Sequence, residues 1–443
     1  MSLFGAMTTA ISGLTAQSKA LGNVSENVAN SQTVGYKRTD TSFSSYLTVS
    51  NQRDNLSGSV VARPDYVNTV QGTVTQTDNT LAAAIAGQGF FAVSRAVDTS
   101  NGQTTFDSRD MYTRAGDFSQ NSDGYLVNSA GYYLQGWSVN GDGTIDRTNL
   151  SPIRIEEGVY NPVASSTITL AANLPTSPTD STATATSPLT GQAQIYDSLG
   201  NSHNVTMSWV KDTSAANTWH LSLTSSDVTG ASAASPATLG TYDVTFGTDG
   251  TLSSLTLTGS TAGSGVTTTQ TAGSPATLSF AADYSGAGTQ SLTLDLGRFA
   301  QSSGLTQTTG TEYNVRSVSA DGSAPGAFSS VSMRDNGDIA INYDNGQSRI
   351  IGRVPIVTFA DPDKLQRLDG QAFLRSVESG DARVTDNSVN GAGKLVVGSV
   401  EGSNVDMASE FSKLIVAQRA YTANTKLVTA TDEMLQDTIN MRR

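Results

Sequence analysis

Residues 3–30 read LFGAMTTAISGLTAQSKALGNVSENVAN, and their apolar positions recur every seven. Met7, Leu14, Leu21 and Val28 form one row; Leu3, Ala10, Gln17 and Val24 form a second, offset by three. This spacing predicts a helix carrying a heptad seam. Gly5, Gly13 and Gly22 each weaken that helix by roughly 1 kcal/mol relative to Ala, so it needs a partner to be ordered.

The other end of the chain answers it. Leu414, Tyr421, Val428 and Leu435 recur every seven, with Leu427, Met434 and Met441 in an adjacent row. All 11 prolines lie between Pro64 and Pro362, and residues 403–443 also lack Gly, so both ends can carry long helices. Ser403-Asn404-Val405-Asp406 reads as a start with a Ser or Asn cap and an acid in the first turn. The helix then runs from about 405 to 440, roughly 50 Å at 1.5 Å per residue. Neither helix has enough apolar surface to hide alone, and a β-rich body separates them. Packing between subunits is therefore expected over packing on the chain's own core. Leu3, Met7, Leu14, Leu21, Val24, Val28, Leu414, Tyr421, Leu427, Val428, Met434 and Leu435 are the expected interface residues.

Between the ends the signals are strands and tight turns. Asn121-Ser122-Asp123-Gly124, Asn140-Gly141-Asp142-Gly143 and Thr248-Asp249-Gly250 are turn sequences. Asp335-Asn336-Gly337 and Asp344-Asn345-Gly346 bracket an alternating strand of Ile339, Ile341 and Tyr343. Residues 172–190 and 230–240, rich in Ser, Thr, Ala and Pro, read as linkers or exposed loops. Residues 161–351 hold only 18 charged side chains, basic only at Lys211, Arg298, Arg316, Arg334 and Arg349. This span reads as an inserted all-β domain.

Composition bounds the function. At 443 residues and 46.0 kDa, two to four domains are expected. The absence of Cys excludes disulfides, zinc–thiolate sites, iron–sulfur clusters and a Cys nucleophile. Only 15% of residues are charged, and the net charge is −13. The first 38 residues are net positive and residues 404–443 neutral, so the middle is acidic and repels nucleic acid and anionic lipid. The start lacks the basic region of a secretory signal, and no run of 18 apolar residues exists, so membrane insertion is not expected. Signals alone would place the chain in the cytoplasm.

Candidate chemistry fails on inspection. Gly87-Gln88-Gly89-Phe90-Phe91-Ala92 matches G-x-G-x-x-A, but Val93-Ser94-Arg95-Ala96-Val97 after it reads as a strand, where a nucleotide site needs a helix N-terminus. The Asp-Gly clusters at 140–146 and 335–346 lack EF-hand spacing and read as hairpin turns. His203 and His220 sit in strand-like surroundings as lone histidines, and there is no G-x-S-x-G. No catalytic residue, metal site or cofactor is expected, and an enzyme has no support.

The run Asn27-Val28-Ala29-Asn30-Ser31-Gln32-Thr33-Val34-Gly35-Tyr36-Lys37-Arg38 resembles the N-terminal signature of the bacterial flagellar rod and hook proteins. Its matching positions are Asn27, Asn30, Gly35, Tyr36, Lys37 and Arg38. Gly87-Gln88-Gly89-Phe90-Phe91 resembles the next block of that family. Tyr112-Thr113-Arg114-Ala115-Gly116-Asp117-Phe118, Asp123-Gly124-Tyr125-Leu126-Val127 and Leu134-Gln135-Gly136-Trp137 come next, in family order. Val400-Glu401-Gly402-Ser403-Asn404-Val405-Asp406 and Ile415-Val416-Ala417-Gln418-Arg419-Ala420-Tyr421 resemble its last block. Within the family, the insertion and the run Tyr196-Asp197-Ser198-Leu199-Gly200-Asn201-Ser202-His203 resemble the hook branch.

The resemblance implies a subunit that polymerises with itself into a curved, flexible tube between rod and filament and transmits torque. It implies export through the flagellar type III apparatus without a cleaved signal, which displaces the cytoplasmic default. The implied partners are the distal rod protein, the hook cap and the hook–filament junction protein. The expected fold is mixed and mainly β: two β-rich domains in the middle, with N- and C-terminal α-helices forming a coiled-coil-like terminal domain. Residues 1–30 with 404–443 are the terminal helices, 31–70 a linker, 71–160 with 352–403 an inner β domain, and 161–351 an inserted outer β domain. A straight distal-rod-like protein and a surface adhesin or carbohydrate-binding β protein remain the alternatives.

Overall fold

The computed structural model describes residues 3–50, 55–100, 103–176, 184, 187–215, 217–229, 236–259, 261, 263–310 and 312–441, which divide into two compact units. The first holds Met1–Glu157, Ser330–Asn342 and Ser348–Arg443; the second holds Gly158–Ser329 and Tyr343–Gln347.

In the first unit, helix α1 (Leu3–Ala29) packs along helix α2 (Met407–Asn440) and on an antiparallel hairpin, β1 (Thr39–Ser50) and β2 (Asn55–Tyr66). The cap of α2 is Asp406, whose carboxylate accepts from Ser409 N at 3.1 Å, rather than Asn404 or Ser403. The expected linker at 31–70 is thus largely a paired hairpin, with register Thr39↔Tyr66 through Ser50↔Asn55. Pro64 is accommodated opposite Thr41 because a two-stranded ribbon has a free edge for a residue without an N–H.

The helix seam differs from the one expected. On α1 the buried positions are Ala10, Ala16, Ala20, Val24 and Asn27; on α2 they are Glu410, Ala417 and Thr431. A Cβ on Gly13 would lie 3.0 Å from the Asn424 side-chain amide nitrogen, so that amide packs directly on the α1 backbone there. Met7, Leu14, Leu21, Val28, Leu414, Val428 and Leu435 are only half-buried, while Tyr421, Leu427 and Met434 are exposed. Leu3 opens α1, but its side chain lies outside the described residues. Packing of α1 on α2 within the chain forms the expected terminal helical domain. It uses small and polar residues and leaves the large apolar ones at the margin or outside.

The rest of this unit is built on a mixed-length sheet. Its main path runs Phe328–Met333, Asp338–Tyr343, Ser348–Arg353, Tyr132–Ser138, Phe91–Ser100, Met111–Thr113, Ala372–Leu374 and Gln366–Arg367. Phe90, Tyr112, Phe359 and Phe373 pack edge-to-face in its core at centroid distances of 4.8–5.9 Å. The run after Gly87 is a strand, as its sequence indicated; at Gly89 (φ 134°) a Cβ would lie 2.1 Å from Ile356 Cγ2, so glycine is required.

The second unit is a β-sandwich. A five-stranded antiparallel meander, Leu189–Tyr196 to Leu252–Gly259, shares one core with a six-stranded sheet. In that second sheet Thr167–Pro175 runs parallel to Gly288–Arg298 and to Thr306–Thr308. Trp209, Trp219, Tyr242, Phe280 and Leu294 alternate inward along their strands, the period expected of a half-buried sheet. The loops expected at 172–190 and 230–240 are shortened by strands Thr167–Pro175, Leu189–Tyr196 and Ala237–Phe246. Residues 177–183, 185–186 and 230–235 of those loops lie outside the described residues.

The expected exit of the insertion at 351 is corrected. Ile339, Ala340 and Ile341 are fully buried in the first unit's sheet, and Trp137 pairs with Arg353 there, so residues 330–342 and 348–351 belong to that unit. The entering and leaving segments of the second unit lie side by side: Tyr160 and Gly326 exchange backbone hydrogen bonds of 2.8 and 3.2 Å, and Val163 and Ser323 of 3.0 and 2.9 Å. Deleting 158–329 with a short linker should therefore leave a cooperative thermal transition in the remaining unit. Deleting 161–351 should abolish it, because the buried 338–343 strand goes too. Calorimetry on both deletions checks this; equal transitions would contradict the boundary.

Candidate functional site: a buried polar clamp under the terminal helices

Five of the six signature positions between Asn27 and Arg38 meet the C-terminal segment 401–413 or the network that holds it. Gly35 turns the chain at φ 68°, and a Cβ there would lie 2.4 Å from Ala115 N. Its N–H donates to Glu401 O at 2.7 Å. The turn delivers Lys37 into the interior, where Nζ donates to Glu401 Oε1 at 2.5 Å and to Val70 O at 2.7 Å. Arg114 reaches the same carboxylate from another strand end, Nη1 to Oε2 at 3.0 Å, and also donates to Ile85 O and Gly87 O. Gly72 N completes the set at 2.9 Å. The Lys37 and Glu401 side chains are fully shielded from solvent, and Arg114 nearly so.

Burial pushes the Lys37 ammonium down from 10.5 to about 8, against the opposing pull of Glu401. Burial likewise lowers Arg114, again opposed by Glu401. One carboxylate therefore serves two desolvated cations, the carbonyl oxygens of Val70, Ile85 and Gly87 take further N–H groups, and the buried Arg114 Nε has no partner among the described residues. This arrangement anchors chain segments; it offers no open position at the carboxylate for a substrate.

Asn27, fully buried, is the second centre. Its Oδ1 accepts from Thr39 N at 2.9 Å and from Tyr36 OH at 3.1 Å. Its Nδ2 donates to Thr39 O at 3.0 Å and to Glu410 Oε2 at 3.1 Å. Lys413 then joins Glu410 at 2.7 Å to Asp40 at 2.5 Å. One amide thus ties α1, the start of β1 and the first turn of α2. Burial, with Glu26 adding to it, pushes the Tyr36 hydroxyl up to about 12, so it remains a donor.

Asn30 closes the end of α1, donating to Glu26 O at 2.9 Å and accepting from Thr33 Oγ1 at 3.1 Å. Arg38 contributes its backbone, N to Asn404 Oδ1 at 2.7 Å, while Asn404 Nδ2 holds Val67 O and Val70 O. Arg367 lies over the Tyr66 ring at 4.6 Å and donates to Lys37 O and Thr39 Oγ1.

The sequence reading placed Asn27, Asn30, Gly35, Tyr36, Lys37 and Arg38 in one motif without their partners. Arg114 and Glu401 stood only inside the resembling blocks and Asn404 only as a cap of the C-terminal helix, while Glu410 and Arg367 were not singled out. A weak signal existed for Glu401, an acid with no basic residue within six positions in sequence. Among the described residues, no group of three His, Asp or Glu side chains could hold a metal. His203 stacks on Tyr284 at 3.8 Å and meets Asp197 at 3.1 Å, as a packed side chain of the sandwich.

Comparison with known proteins gives four family matches. Residues 7–37 match the flagella basal body rod protein family, and 84–173 the flagellar hook protein FlgE/F/G D1 domain. Residues 163–323 match the flagellar basal body protein FlaE D2 domain, and 396–441 the C-terminal domain of the flagellar basal body rod FlgEFG proteins. The chain is 31% identical to the flagellar hook protein FlgE of Brucella abortus, with 100% of both chains covered. It is 32% identical to that of Rhizobium meliloti, again with 100% of both covered. The crystal structure of Helicobacter pylori flagellar hook protein FlgE2 aligns with a TM-score of 0.48 at 14% identity, covering 72% of this chain and 98% of that one.

Removing one member of the buried charge cluster should be far costlier than removing a surface charge. Lys37→Met is expected to lower stability by about 3–5 kcal/mol, since Glu401 loses a partner out of reach of water. Lys394→Met, at an exposed position, should change it by less than about 0.5 kcal/mol. Denaturant unfolding of the monomers measures both.

Proposed function

The chain belongs to the flagellar hook protein family, and on that premise we propose how its parts serve a polymer that bends while it turns. It is a structural subunit of the flagellar hook. The observation that supports our reading is the outward surface of α2: Phe411, Ile415, Val416, Leu427 and Met434 are 50–67% exposed. Water-facing apolar side chains at this density on one helix call for a cover. The small-residue seam has already joined α1 to α2, so neighbouring copies provide that cover, and the paired helices line a helical homopolymer.

The half-buried row of Met7, Leu14, Leu21 and Val28 with Leu414, Val428 and Leu435 flanks the intrachain seam and is assigned to the same interface. Leu3, Tyr421, Leu427 and Met434 complete the set, whereas Val24, expected with them from the sequence, is buried in the intrachain seam. The clamp around Glu401 and Asn27 would hold this helix pair at a fixed angle to the β-sheet part of the first unit, so that torque passes between them. We assign the second unit, low in charge and rich in Ser, Thr and Gly, to contacts that slide as a curved tube rotates. The subunit acts without catalysis, metal or cofactor. Its partners would be other copies, the distal rod protein, the hook cap and the hook–filament junction protein. It would reach the cell exterior through the flagellar type III apparatus, with neither nucleic-acid binding nor membrane insertion.

Ile415→Asp and Leu427→Asp should leave monomer stability within about 0.5 kcal/mol of the parent and abolish tube formation. Leu21→Asp and Val428→Asp, at half-buried positions, should lower monomer stability as well. Electron microscopy of the polymer and thermal melts of the monomer separate the two classes. Normal curved tubes from Ile415→Asp and Leu427→Asp would overturn the assignment of the outward face.

A further inference from the structure

Asn-Gly pairs are chemically labile, because the glycine N–H can attack the preceding side-chain amide without a Cβ in the way. Four such pairs lie among the described residues, at Asn140, Asn336, Asn345 and Asn390. Three have side chains engaged. Asn336 Nδ2 donates to Asp338 Oδ2 at 2.7 Å and its Oδ1 accepts from Asp338 N at 3.0 Å. Asn345 Nδ2 donates to Ala324 O at 2.7 Å and its Oδ1 accepts from Gln347 N at 2.9 Å. Asn140 Nδ2 donates to Thr144 Oγ1 at 3.1 Å.

Asn390 differs. Asn390 and Gly391, at φ 52° and 83°, occupy the two central positions of a tight turn closed by Ala392 N to Val389 O at 3.0 Å. Both residues are exposed, and among the described residues no hydrogen-bond partner holds the Asn390 side chain. A Cβ at Gly391 would meet nothing within 4 Å, as at Gly141 and Gly346, whereas at Gly337 it would meet Val354 O at 2.6 Å, so the unheld side chain is what sets Asn390 apart. The amide at 390 is therefore free to rotate onto its neighbour, with open space around the glycine.

We propose that Asn390 is a site of spontaneous deamidation, the fastest of these four. The deprotonated Gly391 nitrogen bonds to Asn390 Cγ, the Cγ–Nδ2 bond breaks, and ammonia leaves with the proton. Water then opens the cyclic imide at either carbonyl, giving aspartate or isoaspartate; no oxidant or reductant takes part. The product adds a negative charge and, as isoaspartate, one extra backbone methylene. The change falls four residues before strand Lys394–Val397, which pairs with Ala83–Ala86, and close to the bond from Gly393 N to Gln88 O.

Incubating the intact chain at mildly alkaline pH and mapping its peptides by mass spectrometry tests this. The Asn390 peptide should gain about one dalton several-fold faster than the peptides of Asn336 and Asn345, and should accept methyl groups from an isoaspartyl methyltransferase. In urea the four sites should react at similar rates, because the fold sets the ranking. Equal native rates, faster reaction at Asn336 or Asn345, or the same ranking in urea would each overturn the proposal.

Discussion

A carboxylate removed from water must find its hydrogen-bond and charge partners inside the protein, or its burial costs several kcal/mol. Glu401 meets that demand with Lys37, Arg114 and the Gly72 N–H. The groups come from four separate stretches of the chain, so satisfying one side chain brings all four together. The N-terminal segment after α1, the strand end at 114, the loop at 72 and the segment before α2 are thereby fixed to one another. Asn27 extends the arrangement into the helices through Thr39 and Glu410. The hydrophobic core of the first unit contributes most of the burial energy, and the clamp determines where the two chain ends leave that core.

With the ends placed, the helices meet through what their facing surfaces allow. Ala10, Gly13, Ala16 and Ala20 permit close approach, and the heptad Glu410, Ala417, Asn424, Thr431 supplies small or polar residues opposite. A seam of this kind buries little apolar area, so it joins the helices without consuming the large side chains of α2. Those side chains remain as the surface with which a hook subunit meets its neighbours. One sequence thus divides its apolar residues between holding a chain together and joining it to others.

The sequence made the terminal helices legible because heptads, the missing prolines and the glycine-free C-terminal run all point the same way. The strand of Ile339 and Ile341 was also readable from local chemistry. Which domain that strand joins was not, since alternation shows one face buried without showing against what. The hairpin at 39–66 was hidden by its polar, exposed strands and by Pro64, which an edge tolerates. The intrachain seam was not legible, because alanines and Asn27, rather than the large apolar residues at heptad spacing, occupy it. The clamp was half visible: its motif stood out, but partners more than 300 residues away cannot be paired by spacing.

The central claim is that the buried charge cluster makes the chain ends part of the first unit's cooperative fold. Native-state hydrogen exchange on the monomer tests it most directly. The Gly35 amide, bonded to Glu401 O, and the Gly402 amide, bonded to Thr73 O, should exchange only through the same global opening as the Phe91–Ser100 strand. Exchange of those two amides through local opening, much faster than the strand and insensitive to denaturant, would contradict it.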